Sequence, residues 1–231
     1  MSRPLFQLDP RLQLCADFVR TGAKMADIGT DHAYLPVWLE KQGRIRSAVA
    51  VDVRTGPLRK AEENLKRYQT EKISVRLSDG LAKILPEEAD DIVIAGMGGE
   101  LIARILSEAP WVRREGKRLI LQPMTCAREL RDYLLQNGFS VLREEAVESR
   151  GHVYSVMLMC WQPAQTEVGE LYPYIGILRP NTPAARTYIE KQGTALRVRG
   201  HGLSAKDPNE AQRLLRVADQ LEQLIPKEDL K

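Results

Sequence analysis

The chain has 231 residues, 43% of them hydrophobic and 28% charged, with a formal net charge of +3 at pH 7. This suits one α/β domain with a small appendage and excludes two equal domains, a disordered chain and a fibrous one. The mild basic excess permits a polyanionic partner without demanding one, and no apolar run reaches the roughly 20 residues of a membrane-spanning helix, so no membrane partner is expected.

The opening Met1-Ser2-Arg3-Pro4 has no apolar signal core, so a cytoplasmic protein is expected. Asp9-Pro10 reads as an N-cap and first helical residue, with Leu12, Cys15, Ala16 and Val19 at helical spacing through about Thr21 and Gly22 as the stop. Lys24 to Ile28 is the first expected strand. A polar turn follows, and Pro36 sits in the first turn of a helix carrying Leu35, Trp38 and Leu39. Ser47 to Val53 is a second, strongly apolar strand, followed by a helix from about Pro57 to Tyr68. Ile73 to Leu77 is a third strand. Asp91 to Ala95 is a fourth, running into Gly96-Met97-Gly98-Gly99 and a helix with Leu101, Ile102, Ile105 and Leu106. Arg118 to Leu121 is a fifth, stopped by Pro123, and Ala127 to Gln136 is a helix closed by Asn137-Gly138.

Strands alternating with helices predict a parallel sheet with right-handed crossovers. The ending breaks the rhythm: Val141 to Val147 and Val153 to Trp161 are joined by a link too short for a crossover helix and must form an antiparallel hairpin. A seven-stranded Rossmann-like sheet finished in this way is the fold of class I S-adenosylmethionine-dependent methyltransferases, as distinct from nicotinamide-binding folds. Residues 1–163 are assigned to this domain and 164–231 to a helical-hairpin arm, coiled-coil-like and projecting from it. Thr182-Pro183 and Asp207-Pro208 start the two arm helices. Gly193, Gly200 and Gly202 weaken the first of them, since each costs roughly 1 kcal/mol against alanine. Cys15, Cys126 and Cys160 lack CxxC spacing, which points to core thiols and away from a metal site.

In an open α/β sheet ligands bind at the carboxyl ends of the strands, and here those ends are acidic or glycine-rich. The first turn has one glycine, Gly29, where a dinucleotide fingerprint needs three, and its Asp27 and Asp31 suit a ligand bearing positive charge. Asp52, followed by Val53, can accept from two ribose hydroxyls. Asp79, between Ser78 and Gly80, can accept from an adenine amino group. Gly96, Gly98 and Gly99 leave little bulk above the sheet except Met97, so two flat groups could meet there. His32 and Tyr34 follow the first turn, where a ring could stack on a flipped-out base. Each has a plain structural reading as a turn former, a cap or a packed ring. The basic cluster Arg186, Lys191, Arg197, Arg199 and Lys206 reads as a solvated helix face or a phosphate contact.

The strings ADIGTDHAYLP (26–36), AVDV (50–53), SDG (78–80) and IAGMGG (94–99) resemble the bacterial tRNA (adenine-22 N1)-methyltransferases of the TrmK type over nearly the whole chain. The resemblance implies S-adenosylmethionine as methyl donor and N1 of an adenine in the D-arm region of tRNA as acceptor. It implies that Asp27, Gly29 and Asp31 line the methionine end of the cofactor, Asp52 the ribose, Asp79 the adenine, and Gly96 to Gly99 the floor beneath the reacting base, with Val53, Ser78 and Gly80 also expected among the cofactor-binding residues. Asp31 or Asp27 would stabilise the positive charge that develops on the adenine, and His32 or Tyr34 would position the base, with Met97 expected in the same catalytic group. Two rival readings stand beside it. One is a methyltransferase of a small molecule or protein whose arm dimerises through the stripe from Leu214 to Ile225; the other is a non-catalytic RNA-binding protein of the same fold. A monomer or weak homodimer is expected.

Overall fold

A computed structural model describes residues 4–162 and 168–226. Asp9 caps the first helix, α1 (Pro10–Phe18), by accepting the Leu12 N–H at 2.9 Å. The helix stops earlier than its periodicity suggests, because the Arg20 amide and guanidinium are captured by the buried Asp91 carboxylate, at 2.7 and 2.8 Å for N and Nε. There follow β1 (Ala23–Ile28), α2 (Tyr34–Lys41), β2 (Ile45–Asp52), α3 (Thr55–Tyr68), β3 (Ile73–Leu77), β4 (Asp91–Gly98), α4 (Gly99–Ser107), β5 (Arg118–Thr125), α5 (Ala127–Gln136), β6 (Phe139–Ser149) and β7 (His152–Trp161).

The sheet order is β3-β2-β1-β4-β5-β7-β6, with β7 antiparallel to both neighbours and the rest parallel. This is the expected seven-stranded sheet. Helices cover both faces, so the central strands are apolar throughout: Met25, Ala26, Ile92, Val93 and Ile94 are all fully buried. One core lies beneath α4 and α5, the other beneath α1, α2 and α3. β5 runs on through Pro123 instead of ending at Leu121. Pro123 pairs with Met97 at a register irregularity, where its missing N–H costs no ladder bond.

The boundary at 163/164 lies outside the described residues. Beyond it a short helix, α6 (Tyr172–Ile175), precedes α7 (Pro183–Leu203) and α8 (Pro208–Gln223). The Thr182 hydroxyl oxygen accepts the Ala185 N–H at 3.1 Å and the Asp207 carboxylate the Glu210 N–H at 3.0 Å. α7 is continuous across the glycines that weakened it on paper. Gly200 packs against Leu215, where a Cβ would approach Cγ at 2.9 Å, and Gly193 faces Ala218 and Leu221, so both permit close contact with α8; Gly202 faces open space. The arm does not project freely. Its base packs on β6 and β7 through Tyr174, Tyr188, Ala146 and Val153. The stripe read as a dimer surface is consumed within the hairpin, with Leu214, Val217, Ala218 and Leu221 buried against α7. The cysteines divide: Cys15 is a core thiol, Cys160 is half-buried and Cys126 is exposed.

Candidate active site

At the carboxyl ends of the parallel strands lies a cleft of about 470 Å³, lined by Ile28, Gly29, Asp52, Val53, Arg54, Ser78, Asp79, Gly80, Ala95, Gly96, Met97, Leu101, Arg104 and Ile105. Eight of the expected residues therefore share one cavity: Gly29, Asp52, Val53, Ser78, Asp79, Gly80, Gly96 and Met97. Val53 and Leu101 are exposed apolar side chains on its rim, suited to a flat ring. Asp52 is buried; its Oδ1 accepts the Arg54 N–H at 2.8 Å, and the Arg54 guanidinium stands 3.7 Å away. Gly80, at φ +52°, leaves space that a Cβ would contest with Ile105 at 2.8 Å. Gly29 lines the cleft at φ +70°. The methyl end of Met97 lies directly over it, so any side chain at 29 would overlap Met97.

Asp27 lies beneath the cleft. The Thr30 hydroxyl donates to its Oδ2 at 2.5 Å, and burial pushes its pKa up from 3.8 to about 6, with that hydrogen bond and Arg11 working against the shift and Asp31 and Asp52 adding to it. Gly98 stands beside the Thr125 hydroxyl and Gly99 against the Cys126 backbone, so part of the glycine run serves the packing of the β4–α4 turn on the β5–α5 turn.

Asp31, His32 and Tyr34 stand outside the cleft walls. Asp31 is exposed, 3.7 Å from His32 Nε2. Tyr34 packs edge-on against Phe6 at 5.0 Å and lies 5.6 Å from the His32 ring. His32 and Ala33 both have left-handed backbones, φ 55° and 57°, unusual for two successive non-glycine residues. Asn64 of α3 steadies this turn, its Nδ2 donating to the His32 carbonyl at 2.9 Å.

Three polar residues at the site escaped the sequence reading. Arg104 of α4 is bidentate on Asp79, at 2.8 and 3.3 Å, and also holds Glu108; its guanidinium keeps the Asp79 pKa below the usual range. Arg11 of α1 reaches across the sheet to Gln122 at 2.7 Å, and the same Gln122 oxygen takes the Gly96 N–H at 3.0 Å. The helical spacing of Arg104 to Glu108 was a local signal; nothing local marks Arg11 or Gln122.

Of the basic arm residues, Arg197 is engaged within the hairpin by Asp219 at 2.9 Å and Glu222 at 2.6 Å, and the Arg186 Nε donates to the Pro180 carbonyl. Arg199 and Lys206 are exposed. A smaller depression of about 260 Å³ joins Met124, Thr125 and Cys126 at the end of β5 to Tyr188 and Gln192 of α7, so the arm begins beside the strand ends. Among the described residues no group of three or more His, Cys, Asp or Glu could hold a metal ion, and no helix is long and apolar enough to cross a membrane. The chemistry of the cleft suits a nucleoside bearing positive charge: carboxylates for hydroxyls and cations, apolar rims for a flat ring.

The family described as "Methyltransferase domain" matches residues 8–157. The tRNA (adenine(22)-N(1))-methyltransferase of Bacillus subtilis is 42% identical over 154 residues, 66% of this chain and 64% of its own length. The chain thus spans less than two thirds of that curated relative in sequence. In structure the likeness is nearly complete. The B. subtilis M1A22 tRNA methyltransferase TrmK superposes with TM-score 0.81 and 30% identity, covering 96% of this chain and 98% of that one. The chain belongs to the TrmK family. A Streptococcus pneumoniae protein described as a candidate tRNA (m1A22) methyltransferase covers 95% of this chain and 100% of its own, with TM-score 0.84 and 33% identity, and has also been solved in complex with S-adenosyl-L-methionine. The TrmK likeness thus extends beyond the methyltransferase domain to the helical arm.

Proposed function

We propose that this chain transfers the methyl group of S-adenosylmethionine to N1 of adenine 22 in bacterial tRNA, in the cytoplasm. The observation that carries the proposal is the arm. The methyltransferase-domain match ends at residue 157, while the TrmK structure covers 96% of the chain, so the part of a TrmK that a bare methyltransferase lacks is present here. The cleft lining fits the nucleoside of the cofactor, with Asp52 for the ribose hydroxyls and Val53 and Leu101 for the faces of the adenine; Asp27 beneath the cleft and the exposed Asp31 outside its walls would serve the ammonium group. Asp79 would accept from the adenine amino group with Arg104 beside it, and Ser78 and Gly80 would shape that end.

When bound, the cofactor supplies a sulfonium-activated methyl group. Adenine N1 attacks with its own lone pair, so the protein's task is alignment and no enzyme nucleophile is needed. Gly96 leaves room for the incoming base beside Met97, and Asp27 and Asp31 favour the positive charge formed on the ring. His32 and Tyr34, on the lip outside the cleft, would guide the base. Arg186, Lys191, Arg197, Arg199 and Lys206 would face the tRNA backbone, Arg197 also bracing the hairpin. The dimerising reading loses its support, because the stripe on α8 is already covered by α7.

The proposal is tested by incubating the chain with unmodified tRNA and labelled cofactor and mapping the methylated nucleotide. Label at N1 of adenine 22 is expected; no label in any adenine refutes the reading. Asp52→Ala should weaken binding of S-adenosylhomocysteine by about 10-fold or more through lost charge-assisted hydrogen bonds, as read by calorimetry. Arg199→Glu should weaken tRNA binding, lower its salt slope by about 1 and leave cofactor affinity unchanged.

A further inference from the structure

An adenine that leaves its strand to reach Met97 gives up its stacking on both sides, so a neighbouring base is left with a bare face. The structure has a second concavity where such a base would arrive. It is the depression of about 260 Å³ between the end of β5 and the arm, little more than half the 470 Å³ of the cleft, which suits a base alone. Strand pairing sets the two side by side. Met97 pairs with Pro123 and Gly98 with Thr125, so the depression begins one strand spacing, about 4.8 Å, from the Met97 floor.

The lining of this depression has both apolar surface and unspent polar groups. Met124 is 43% exposed at the end of β5, and Tyr154 of β7 is half-buried, so both offer apolar surface to a ring. Thr125 of β5, Glu129 of α5 and Gln192 of α7 reach it from three different elements. None of the three makes a side-chain hydrogen bond or ion pair among the described residues, whereas the adjacent Ser155 and Tyr188 hydroxyls are both taken by Arg131, at 3.1 and 3.2 Å. Arg128, the cation of the lining, is drawn off to the Tyr174 ring at 5.0 Å and to Asp132 at 3.9 Å. The charge left over is the Glu129 carboxylate, which repels a phosphate and accepts from an amino group. A carboxylate only accepts, while an amide both donates and accepts. Together Glu129 and Gln192 match a base edge with an amino group beside an acceptor, which adenine, guanine and cytosine have and uracil lacks.

We propose that this depression binds the base next to the target adenine in the tRNA strand, with Met124 and Tyr154 against its ring and Glu129 and Gln192 on its amino edge. The proposal rests on the reading of the chain as a tRNA adenine-N1 methyltransferase. It makes the junction of domain and arm a part of substrate recognition. A bare dent between the two would not discriminate one base from another.

The test uses the full chain and a full-length tRNA in which both neighbours of adenine 22 carry an amino group, each neighbour being replaced singly by an abasic residue or by uracil. At one of the two positions the abasic residue should lower wild-type kcat/KM about 10- to 100-fold and uracil about 5-fold or more. A chain carrying both Glu129→Gln and Gln192→Ala should keep wild-type affinity for S-adenosylhomocysteine, and its penalty for uracil at that position should fall below about 2-fold. A change in tRNA folding alone would penalise both chains alike. Equal penalties in the two chains, or no penalty at either neighbour in a wild type that methylates adenine 22, overturn the pocket and leave the activity standing. If wild type methylates no adenine, the tRNA reading itself fails and the pocket with it. Should the double variant not fold, Cys126, the exposed cysteine of the same lining, supplies the check. Bound tRNA should slow its alkylation in wild type about 5-fold or more, and saturating abasic tRNA by less than about 2-fold; equal protection overturns the proposal.

Discussion

Glu144 at the base of the arm and Asp27 beneath the cleft are both buried carboxylates, and their surroundings differ completely. Glu144 meets the buried Arg131 at 2.6 Å through Oε1, while its Oε2 takes the Ile177 N–H at 3.0 Å. Arg131 in turn donates to Ser155, Tyr188 and the carbonyls of Pro173 and Tyr174. Burial works against the charged guanidinium, the Glu144 carboxylate outweighs it, and the Arg131 pKa is raised. Asp27 has one hydroxyl donor and no ion-pair contact among the described residues, and burial raises its pKa to about 6. The compensated charge joins arm to domain. The uncompensated one is held ready for something the fold does not supply, which is where functional sites concentrate.

The largest effect should come from breaking the compensated pair. Glu144→Ala leaves Arg131 buried and unpaired and should cost about 3–5 kcal/mol in urea unfolding, with the cleft residues untouched. A loss under about 1 kcal/mol would show that the junction is not what holds the arm. Asp27→Asn should do the reverse. Its folded pKa lies above the unfolded value, so folding takes up a proton, and stability present below pH 4 is lost as the pH rises to about 6. The Asn amide oxygen can still accept from Thr30, so the variant should gain about 1–3 kcal/mol at pH 7, gain nothing at pH 4, and bind S-adenosylhomocysteine more weakly. Destabilisation at pH 7 would contradict this account of Asp27. The smallest effects separate the two faces of α7. Gly200→Ala meets Leu215 and the Ala211 carbonyl and should cost about 1 kcal/mol, while Gly202→Ala, in open space, should gain about 0.5–1 kcal/mol from helix propensity. Equal melting temperatures for the two variants would mean that α7 and α8 are not closely packed at Gly200.

Much of this architecture was legible residue by residue. The caps at Asp9, Thr182 and Asp207, the order of the strands and the antiparallel ending all follow from local chemistry and connection length. Gly29, Asp52, Val53, Ser78, Asp79, Gly80, Gly96 and Met97 were gathered correctly, because strand ends in a parallel sheet necessarily point to one edge. What the sequence misplaced were features whose meaning depends on a distant neighbour. Gly193 and Gly200 look like helix breakers until α8 is laid against them. His32 and Tyr34 share the first turn with Asp27, yet two left-handed residues carry them out of the cleft.

By itself the sequence determined the alternation of elements, the acidic and glycine-rich strand ends, and the family, since these depend on periodicity, spacing and short motifs. Only the tertiary structure decided that Arg11 meets Gln122 from 111 residues away, that Arg104 covers Asp79, and that Arg131 and Glu144 dock the arm. The physical reason is that a charged side chain carries no sign of its partner in its own sequence neighbourhood. Whether it becomes a solvated surface group, a structural clamp or a ligand receptor is decided by which atoms folding brings beside it.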